Sequence, residues 1–390
     1  MKATYQDDAF FKPVPLRSLS NRPLVSVLLS NYNYGSFLQE AIESVLQQTY
    51  EKYELIVCDD GSTDGSRNVL ESFQSLDPRI TVIFQSNQGQ SGALNAAFHN
   101  SRGEIICFMD ADDIFRREKL ESLVEAFVSN PDSGFAIHRM VRVDKFRNWL
   151  GEIPLLSQLP SGWQGGAFNL KGPRALSGLP PSSGLALHRT IADLVFPIPI
   201  TLRTCADTAV QILAPLMTPI VSVDRVLGEY RIHGANNLGR NHFGAADVQR
   251  IMFNDNQVWD VWRNYVATQA AASGDLIPAQ RTSSMLEYAH ARFAGDPSCR
   301  ALYRLGINSP RYQAMSAMYR CYWKMSSAMP DWLFRRSIGF VYGQSTAKIK
   351  LGRILDSLRS IRRRYKAVLQ TLTGSTHPRT ASIISKSSAK

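Results

Sequence analysis

Apolar, β-branched runs alternate with segments of helical periodicity along the first part of the chain. Such runs are typical of strands buried on both faces, whereas the helical segments repeat an apolar residue every three or four positions. Strands are predicted at 24–30, 54–58, 80–84, 104–109 and 134–143, and helices from Ser36 and at about 64–75, 91–100 and 117–129. This alternation predicts an α/β fold with a mostly parallel, Rossmann-type sheet covered by helices on both faces.

The pattern changes after residue 150. Residues 151–181 are rich in Gly, Pro and Ser and are predicted to be loops that cross the sheet, because Trp163 and Phe168 need burial or a ligand. Further on, the pattern predicts a strand at 185–188, a helix at 206–217, a strand at 220–232 and helices from about 243. The predicted division is an N-terminal segment 1–22, an α/β domain 23–242, a helical C-terminal region 243–372 and a disordered tail 373–390.

The positive charge of the chain is concentrated at one end. The net charge is +11, and residues 331–390 contain 13 Lys and Arg against 2 Asp and Glu, which accounts for all of it. Residues 351–372 combine this charge with a Leu/Ile stripe, which predicts an amphipathic basic helix. Three roles remain open for this helix: contact with an anionic membrane surface, packing on its own domain, or packing on a second subunit in a homo-oligomer. No RNA- or DNA-binding motif accompanies the charge, so a nucleic-acid partner is not expected.

Cysteine usage and hydropathy bear on the cellular compartment. The five cysteines are scattered, which predicts neither a disulfide framework nor a zinc site. No run reaches the roughly 18–20 apolar residues of a membrane helix, and the first residues lack the apolar stretch of a signal peptide. We therefore expect a cytoplasmic protein, with the basic helix as a peripheral contact at the inner face of the cytoplasmic membrane.

Polar clusters follow three of the predicted strands. They are 30–35 (SNYNYG), 59–62 (DDGS) and 110–113 (DADD). In open α/β sheets, ligands bind beyond the carboxyl ends of the strands, although Asp and Asn also start turns. The carboxylates of the last cluster repel one another unless a cation lies among them, and Mg²⁺ or Mn²⁺ held with a diphosphate suits that arrangement. The residues alone also allow a metal-dependent phosphohydrolase with Asp110 as nucleophile, but no convincing downstream Lys and acidic pair accompany it.

The same stretches resemble a known family. Residues 25–66, 87–95, 102–104 and 108–113, and more weakly the chain to about residue 240, look very like family-2 glycosyltransferases. The resemblance implies the GT-A fold and an inverting, metal-dependent transfer of a sugar from a nucleotide-sugar donor, commonly UDP-linked. It implies a glycan or lipid-linked acceptor in polysaccharide or glycoconjugate synthesis.

The resemblance also implies roles for single residues on the donor side. Ser30, Tyr32 and Asn33 line the base and ribose pocket, Asp60 bonds the nucleobase, and Asn87 belongs to the donor-binding set. Asp110 and Asp112 match the DxD motif, in which one carboxylate contacts the ribose and the other the metal; Asp113 extends the motif and is an alternative ligand. Many members have Arg where this chain has Leu94, so a donor contact is either absent or supplied elsewhere.

Two further positions carry the implied chemistry. Asp207 matches the family's catalytic base, although Ala206 replaces the Glu that often precedes it, and a carboxylate there also suits a helix N-terminus. His233, in the segment YRIHGAN, is assigned to the metal or the diphosphate, with a structural histidine as the alternative. Because of Ala206 and Leu94, a non-catalytic relative that binds nucleotide sugars stays open beside the enzyme.

The basic end of the chain generates a first prediction. Deletion of residues 340–390 is expected to weaken binding to anionic liposomes while leaving donor binding intact, since the strand-end carboxylates all precede residue 210. Each basic residue near an anionic surface contributes on the order of 1 kcal/mol, which salt screens, whereas burial of the Leu/Ile stripe survives salt. Liposome co-sedimentation of both proteins at low and high salt measures this. A full-length protein that ignores anionic liposomes would make the segment a packing or oligomer helix.

Overall fold

The computed structural model describes residues 11–153, 158–165, 179–233, 244–273, 285–313, 315 and 317–342. The strands are β1 Val25–Asn31, β2 Tyr53–Asp59, β3 Ile80–Phe84, β4 Ile105–Asp110, β5 Ile114–Phe115, β6 Phe135–Asp144, β7 Trp149–Ile153, β8 Leu185–His188 and β9 Ile220–Ile232. The helices of the α/β part are α1 Gly35–Leu46, α2 Ser66–Leu76, α3 Gln90–His99, α4 Lys119–Ser129, then Arg189–Val195 and Asp207–Met217. The C-terminal helices are Ala245–Ser273, Met285–Ala294, Cys299–Ile307, Pro310–Gln313, Ala317–Ser326 and Asp331–Tyr342.

A single mixed sheet organises the α/β part. Within the described residues its strand order is β3-β2-β1-β4-β8-β6-β9-β5, with β7 paired to β6. The four strands from β3 to β4 run parallel, β6 and β9 form a second parallel pair, and β8 joins the two groups by antiparallel pairing. The predicted α/β class with its Rossmann-type sheet is confirmed. The antiparallel strand β8 connects the parallel strands β3 to β4 with the parallel pair β6 and β9.

Helices cover both faces of the sheet because successive side chains of a strand point to opposite faces. In β1, Leu28 packs with α3 and the helix Asp207–Met217, whereas Val27 and Leu29 pack with α1, α2 and α4. All three side chains are fully buried. The continuous apolar run that predicted a two-sided strand is therefore divided between two cores.

The C-terminal helices form a further core. Trp323, Phe334 and Ile338 are fully buried in it, and the long helix Ala245–Ser273 joins it to the sheet, because its Val248 belongs to this core and its Trp262 to the sheet core. The predicted helical C-terminal region is thus present as far as residue 342, while the amphipathic helix 351–372 lies outside the described residues. Over the described part of the chain, no helix is both long enough and apolar enough to span a membrane.

The start of α1 differs from what its local sequence suggests. Ser36 and Gln39 suggest a capping box, but α1 begins at Gly35 and its N-cap residue makes no side-chain capping hydrogen bond. Instead, the backbone N–H of Gly35 donates to Asp64 Oδ2 at 2.9 Å. A carboxylate from the loop before α2 therefore satisfies a helix end, which is a tertiary contact that sequence spacing within α1 does not show.

The predicted crossing loops are described only in part. Gly162 pairs with Ile220 through two backbone hydrogen bonds, and Trp163 packs half-buried against the sheet core. These contacts agree with a loop that crosses the sheet. Phe168 lies outside the described residues.

One side chain fixes the segment that leads to the helix Asp207–Met217. Asn95 of α3 donates from Nδ2 to the carbonyl of Ile198 at 2.7 Å and accepts from its N–H at 2.8 Å. Two backbone groups of a chain segment that has no sheet or helix partner are satisfied in this way. The segment is thereby held against α3, and it runs along this helix towards the rim of the sheet.

We predict that Asn95→Ala lowers the free energy of unfolding by about 1–3 kcal/mol, because it leaves two partly buried backbone groups without a hydrogen-bond partner. Urea denaturation measures the loss. Asn100→Ala is the matched control, since that exposed side chain bonds only Ala96 of its own helix. Equal stability of the two variants would show that the Ile198 contacts do not hold the segment.

Candidate active site

The register of the parallel strands brings the predicted polar clusters together. Ser30 pairs with Asp110 across β1 and β4, and Asn31 pairs with Asp59 across β1 and β2. Because these strands run in the same direction, their carboxyl ends lie at one edge of the sheet. The three clusters therefore share one rim, as the sequence predicts.

A cavity of about 510 Å³ opens at this rim. It lies between the strand ends, the start of α3 and the start of the helix Asp207–Met217. Its lining includes every residue predicted for the donor and the predicted base, namely Ser30, Tyr32, Asn33, Asp60, Asn87, Asp110, Asp112 and Asp207. Of the three predicted metal ligands, Asp112 lines the cavity, whereas Asp113 and His233 do not.

The loop after β1 is fixed by hydrogen bonds to the loop after β2. Asn33 adopts a left-handed backbone conformation with φ 61°, which Asn tolerates better than most residues. Its Oδ1 accepts from the N–H of Thr63 at 2.8 Å, and its own N–H donates to Ser62 Oγ at 2.8 Å. These bonds leave Tyr32 47% exposed at the cavity, where an aromatic face is available to a ring.

Asp60 organises the opposite wall. Its Oδ1 accepts from Gln85 Nε2 at 2.6 Å and from the N–H of Gln88 at 2.8 Å, and its Oδ2 accepts from the N–H of Gly89 at 2.7 Å. The carboxylate is almost fully buried and thus shapes the loop that leads into α3. Its predicted bond to a nucleobase stays a prediction.

Asp110 is the point at which three elements meet. Its Oδ2 accepts from Ser182 Oγ at 2.7 Å, and its Oδ1 accepts from Gln90 Nε2 at 3.2 Å. Gln90 also accepts from the N–H of Ala206 at 3.0 Å through its Oε1. One glutamine therefore ties the end of β4 to the turn that begins the helix Asp207–Met217.

Asp207 is the first residue of that helix. The backbone N–H groups of Thr208, Ser182 and Asp207 itself face its carboxylate. Burial nevertheless dominates and raises its pKa to about 6. The residue two positions before it, Cys205, has φ 60°, an uncommon conformation for a non-glycine residue that sharpens the turn into the helix. Asp207 thus both begins a helix and faces the cavity.

The cavity crowds negative charge. Burial first, and then the neighbouring Asp112 and Asp207, raise the pKa of Asp110 to about 7. Carboxylates that raise one another's pKa in this way are stabilised when a cation enters between them. A positively charged ligand, metal ion or side chain is therefore the natural complement of the site.

Asp112 and His233 form the pair that suits a divalent ion. Asp112 Oδ2 lies 2.9 Å from His233 Nε2, and the histidine ring packs edge-on against Tyr34 and on Phe37. Within the described residues there is no group of three or more His, Cys, Asp or Glu side chains placed to hold a metal. The donor set thus fits an ion that takes most of its ligands from a diphosphate and water, and it does not fit a closed protein site.

Asp113 points away from the cavity. It is fully buried, and its Oδ1 accepts from the N–H of Arg231 in β9 at 3.1 Å. Arg231 also donates from Nε to the carbonyl of Asp112 at 2.9 Å, and its guanidinium pairs with Glu40. Asp113 Oδ1 therefore joins the DADD turn to β9. The role of Asp113 as an alternative metal ligand stays a prediction.

Sequence reasoning missed several residues that build the site. Ser182 and Gln90 hold Asp110, while Arg203 and Tyr230 line the cavity. Ser182 gave no signal, because it follows a loop without periodicity and its partner lies 72 positions away. Tyr230 belongs to the segment that marked His233, and Gln90 to the stretch 87–95, but neither side chain had a predicted role.

A buried lysine lies beneath the site. Lys119 Nζ donates to the carbonyl of Ser183 at 2.6 Å and lies 3.2 Å from the centroid of the Phe115 ring. Burial lowers its pKa to about 7. Since Lys119 does not line the cavity, it does not supply the lysine that a phosphohydrolase with Asp110 as nucleophile needs.

Comparison with known sequences gives one consistent result. A family model described as "Glycosyl transferase family 2" matches residues 26–175. An uncharacterized glycosyltransferase of Nostoc sp., alr2836, is 38% identical over 230 residues, which cover 57% of this chain and 68% of that relative. The glycosyltransferase GlyG of Streptococcus pneumoniae is 36% identical over 123 residues, which cover 31% of this chain and only 40% of GlyG.

Solved structures give a weaker likeness. The structure of S. aureus TarS 1-349 in complex with UDP-GlcNAc covers 88% of this chain and 91% of its own, with 15% sequence identity and a TM-score of 0.46. A likeness at this score supports no conclusion about the ligand of the present chain. The family therefore depends on the sequence matches, and the fold on the sheet described above.

Proposed function

This chain belongs to glycosyltransferase family 2, and on that premise we propose that it moves a sugar from a nucleoside-diphosphate donor, UDP-linked in the first instance, to a glycan or lipid-linked acceptor with inversion at the anomeric carbon. The proposed setting is polysaccharide or glycoconjugate synthesis. The observation that carries the proposal is the shared cavity of Asp110, Asp112 and Asp207. Groups for the donor and a group for the acceptor proton line one space of suitable size for a nucleotide sugar.

In the proposed reaction, Asp207 accepts the proton of the acceptor hydroxyl as that oxygen attacks the anomeric carbon. Its carboxylate fits this role because it faces the cavity and because its helix N-terminus and the N–H of Ser182 hold it in place. Asp110, fixed by Ser182 and Gln90, positions the donor at the same rim. The carboxylate and the reacting carbon are thus oriented by elements that share hydrogen bonds.

Asp112 and His233 are the residues that would hold Mg²⁺ or Mn²⁺ beside the diphosphate. When bound, such an ion neutralises the charge that develops on the leaving nucleoside diphosphate. The contact between Asp112 Oδ2 and His233 Nε2 orients the carboxylate, and Tyr34 and Phe37 fix the histidine ring. Binding of an ion there would also relieve the repulsion between Asp110 and Asp112.

We predict that UDP binds more weakly without a divalent metal, and that Asp112→Ala removes the metal dependence. The expected loss of affinity is about tenfold or more in each case, because a charged ligand to the diphosphate-bound ion disappears. Calorimetry of UDP with Mg²⁺, with Mn²⁺ and in chelator measures it. Asp193→Ala is the matched control, since that carboxylate pairs with Arg17 and Arg189 on the surface away from the cavity. Equal UDP affinity in chelator would remove the metal from the proposal.

We also predict that Asp207→Asn loses turnover and keeps donor binding. A general base acts in the transition state, so its removal is expected to lower kcat by about 10²–10⁴-fold while the donor Kd changes little. A panel of nucleotide sugars first identifies a donor by metal-dependent thermal shift, and release of the nucleoside diphosphate then reports turnover. Asp193→Asn serves again as the surface control. Near-normal turnover would place the base elsewhere, and lost donor binding would give Asp207 a structural role.

A further inference from the structure

The cavity has an unbalanced charge for the donor proposed above. Its described lining contains four carboxylates, those of Asp60, Asp110, Asp112 and Asp207. A nucleoside diphosphate adds further negative charge on its phosphate oxygens. A divalent ion at Asp112 offsets only part of this total, and so a second positive group close to the phosphates would stabilise the bound donor.

Arg203 is the one residue with a positively charged side chain among the described residues that line the cavity. The sequence left open whether the contact that many relatives obtain from an arginine at the place of Leu94 is supplied elsewhere. Leu94 is only 2% exposed and packs in the sheet core, so its side chain does not line the cavity. Arg203, which lies beside the start of α3, is therefore the side chain that can supply a positive charge to this cavity.

The backbone of Arg203 is held tightly against the start of α3. Gly89 has φ 84°, and a Cβ added there would lie 2.7 Å from Arg203 Cα and 2.8 Å from its carbonyl oxygen. The carbonyl of Arg203 also accepts from the N–H of Gln90 at 2.8 Å. Glycine at position 89 thus permits a close backbone approach that fixes where the arginine side chain begins.

The guanidinium of Arg203 is anchored but not neutralised. Its Nη2 donates to Asn87 Oδ1, which is an uncharged acceptor. Within the described residues no carboxylate forms an ion pair with it, and the residue is exposed. Asn87 also lines the cavity and occupies one of the guanidinium donors, which leaves the rest of the planar fork for an anion.

We propose that the guanidinium of Arg203 binds the phosphate oxygens of the donor diphosphate and so supplies the charge contact that Leu94 cannot make. The inference rests on the proposed function, since it needs a nucleoside diphosphate in this cavity. Asn87 acts as the positioning residue that holds the guanidinium at the cavity before the ligand arrives. The arginine is four residues before Asp207, so the same segment contacts the leaving group and carries the base.

The test compares ligands that differ only in their phosphates. UDP, UMP and uridine are each titrated into the unmodified protein and into Arg203→Ala in the presence of Mg²⁺. Ligand-observed NMR and calorimetry measure the binding. If the protein prefers GDP, then GDP, GMP and guanosine replace these ligands. We expect the Kd of the diphosphate to rise about 10- to 100-fold in the variant and that of the nucleoside to stay within about twofold. Arg203→Lys keeps the positive charge but lacks the planar guanidinium, so its Kd for the diphosphate is expected to lie between those of the unmodified protein and Arg203→Ala.

Matched controls separate the charge contact from the fold. Arg225→Ala removes an exposed arginine that pairs with Glu118 outside the cavity, and its diphosphate affinity is expected to be unchanged. Thermal melting checks that Arg203→Ala folds, which is expected because its Cβ and backbone contacts remain. If that variant does not fold, Arg203→Lys decides alone: a rise in the diphosphate Kd without a change for the nucleoside supports the contact.

The possible results of these titrations distinguish this inference from the proposed function. Unchanged diphosphate affinity in the folded Arg203 variants overturns this inference and leaves the proposed function in place. An equal loss for the diphosphate and the nucleoside also overturns it, because the arginine would then contact the base or ribose. A wild-type protein that binds neither UDP nor GDP contradicts the proposed function, and this inference with it.

Discussion

The crowding of carboxylates in one small cavity is the constraint on which the rest of the structure depends. Parallel strands in register deliver acidic residues to a single rim, and Asp207 approaches the same rim from a helix. Burial and mutual repulsion disfavour this arrangement, as the raised pKa of Asp110 shows. The chain offsets the cost with donors: Ser182, Gln90 and the first N–H groups of the helix all point at these carboxylates.

These donors also couple parts of the chain that are distant in sequence. Gln90 contacts both Asp110 and the turn before Asp207, while Asn95 of the same helix holds the segment at Ile198. Helix α3 therefore acts as the frame on which Asp207, the proposed base, is positioned relative to the strand ends. A geometry fixed by a rigid helix keeps reacting groups within the narrow limits that catalysis requires.

The sequence predicted the order of strands and helices well, because two-sided strands such as β1 leave an unambiguous apolar run. It also predicted the cavity-lining residues from Ser30 to Asp112, since strand ends gather at one edge of a parallel sheet. It could not predict Ser182, Arg203 or the inward position of Asp113. Those depend on where the loop before β8 returns and on the pairing of β9, which are long-range contacts that leave no periodic signal.

The departures from the family pattern have structural explanations that bear on catalysis. Ala206 is fully buried in the sheet core, with its N–H on Gln90, so a longer acidic side chain at this position would have to enter apolar packing. The alanine at position 206 therefore reflects how the turn packs, and the cavity retains the carboxylate of the next residue, Asp207. Leu94 likewise fills the core beneath α3, while Arg203 brings a positive charge to the cavity beside the start of that helix. Both substitutions leave the chemical groups of the cavity in place, which favours the enzyme over a relative that only binds nucleotide sugars.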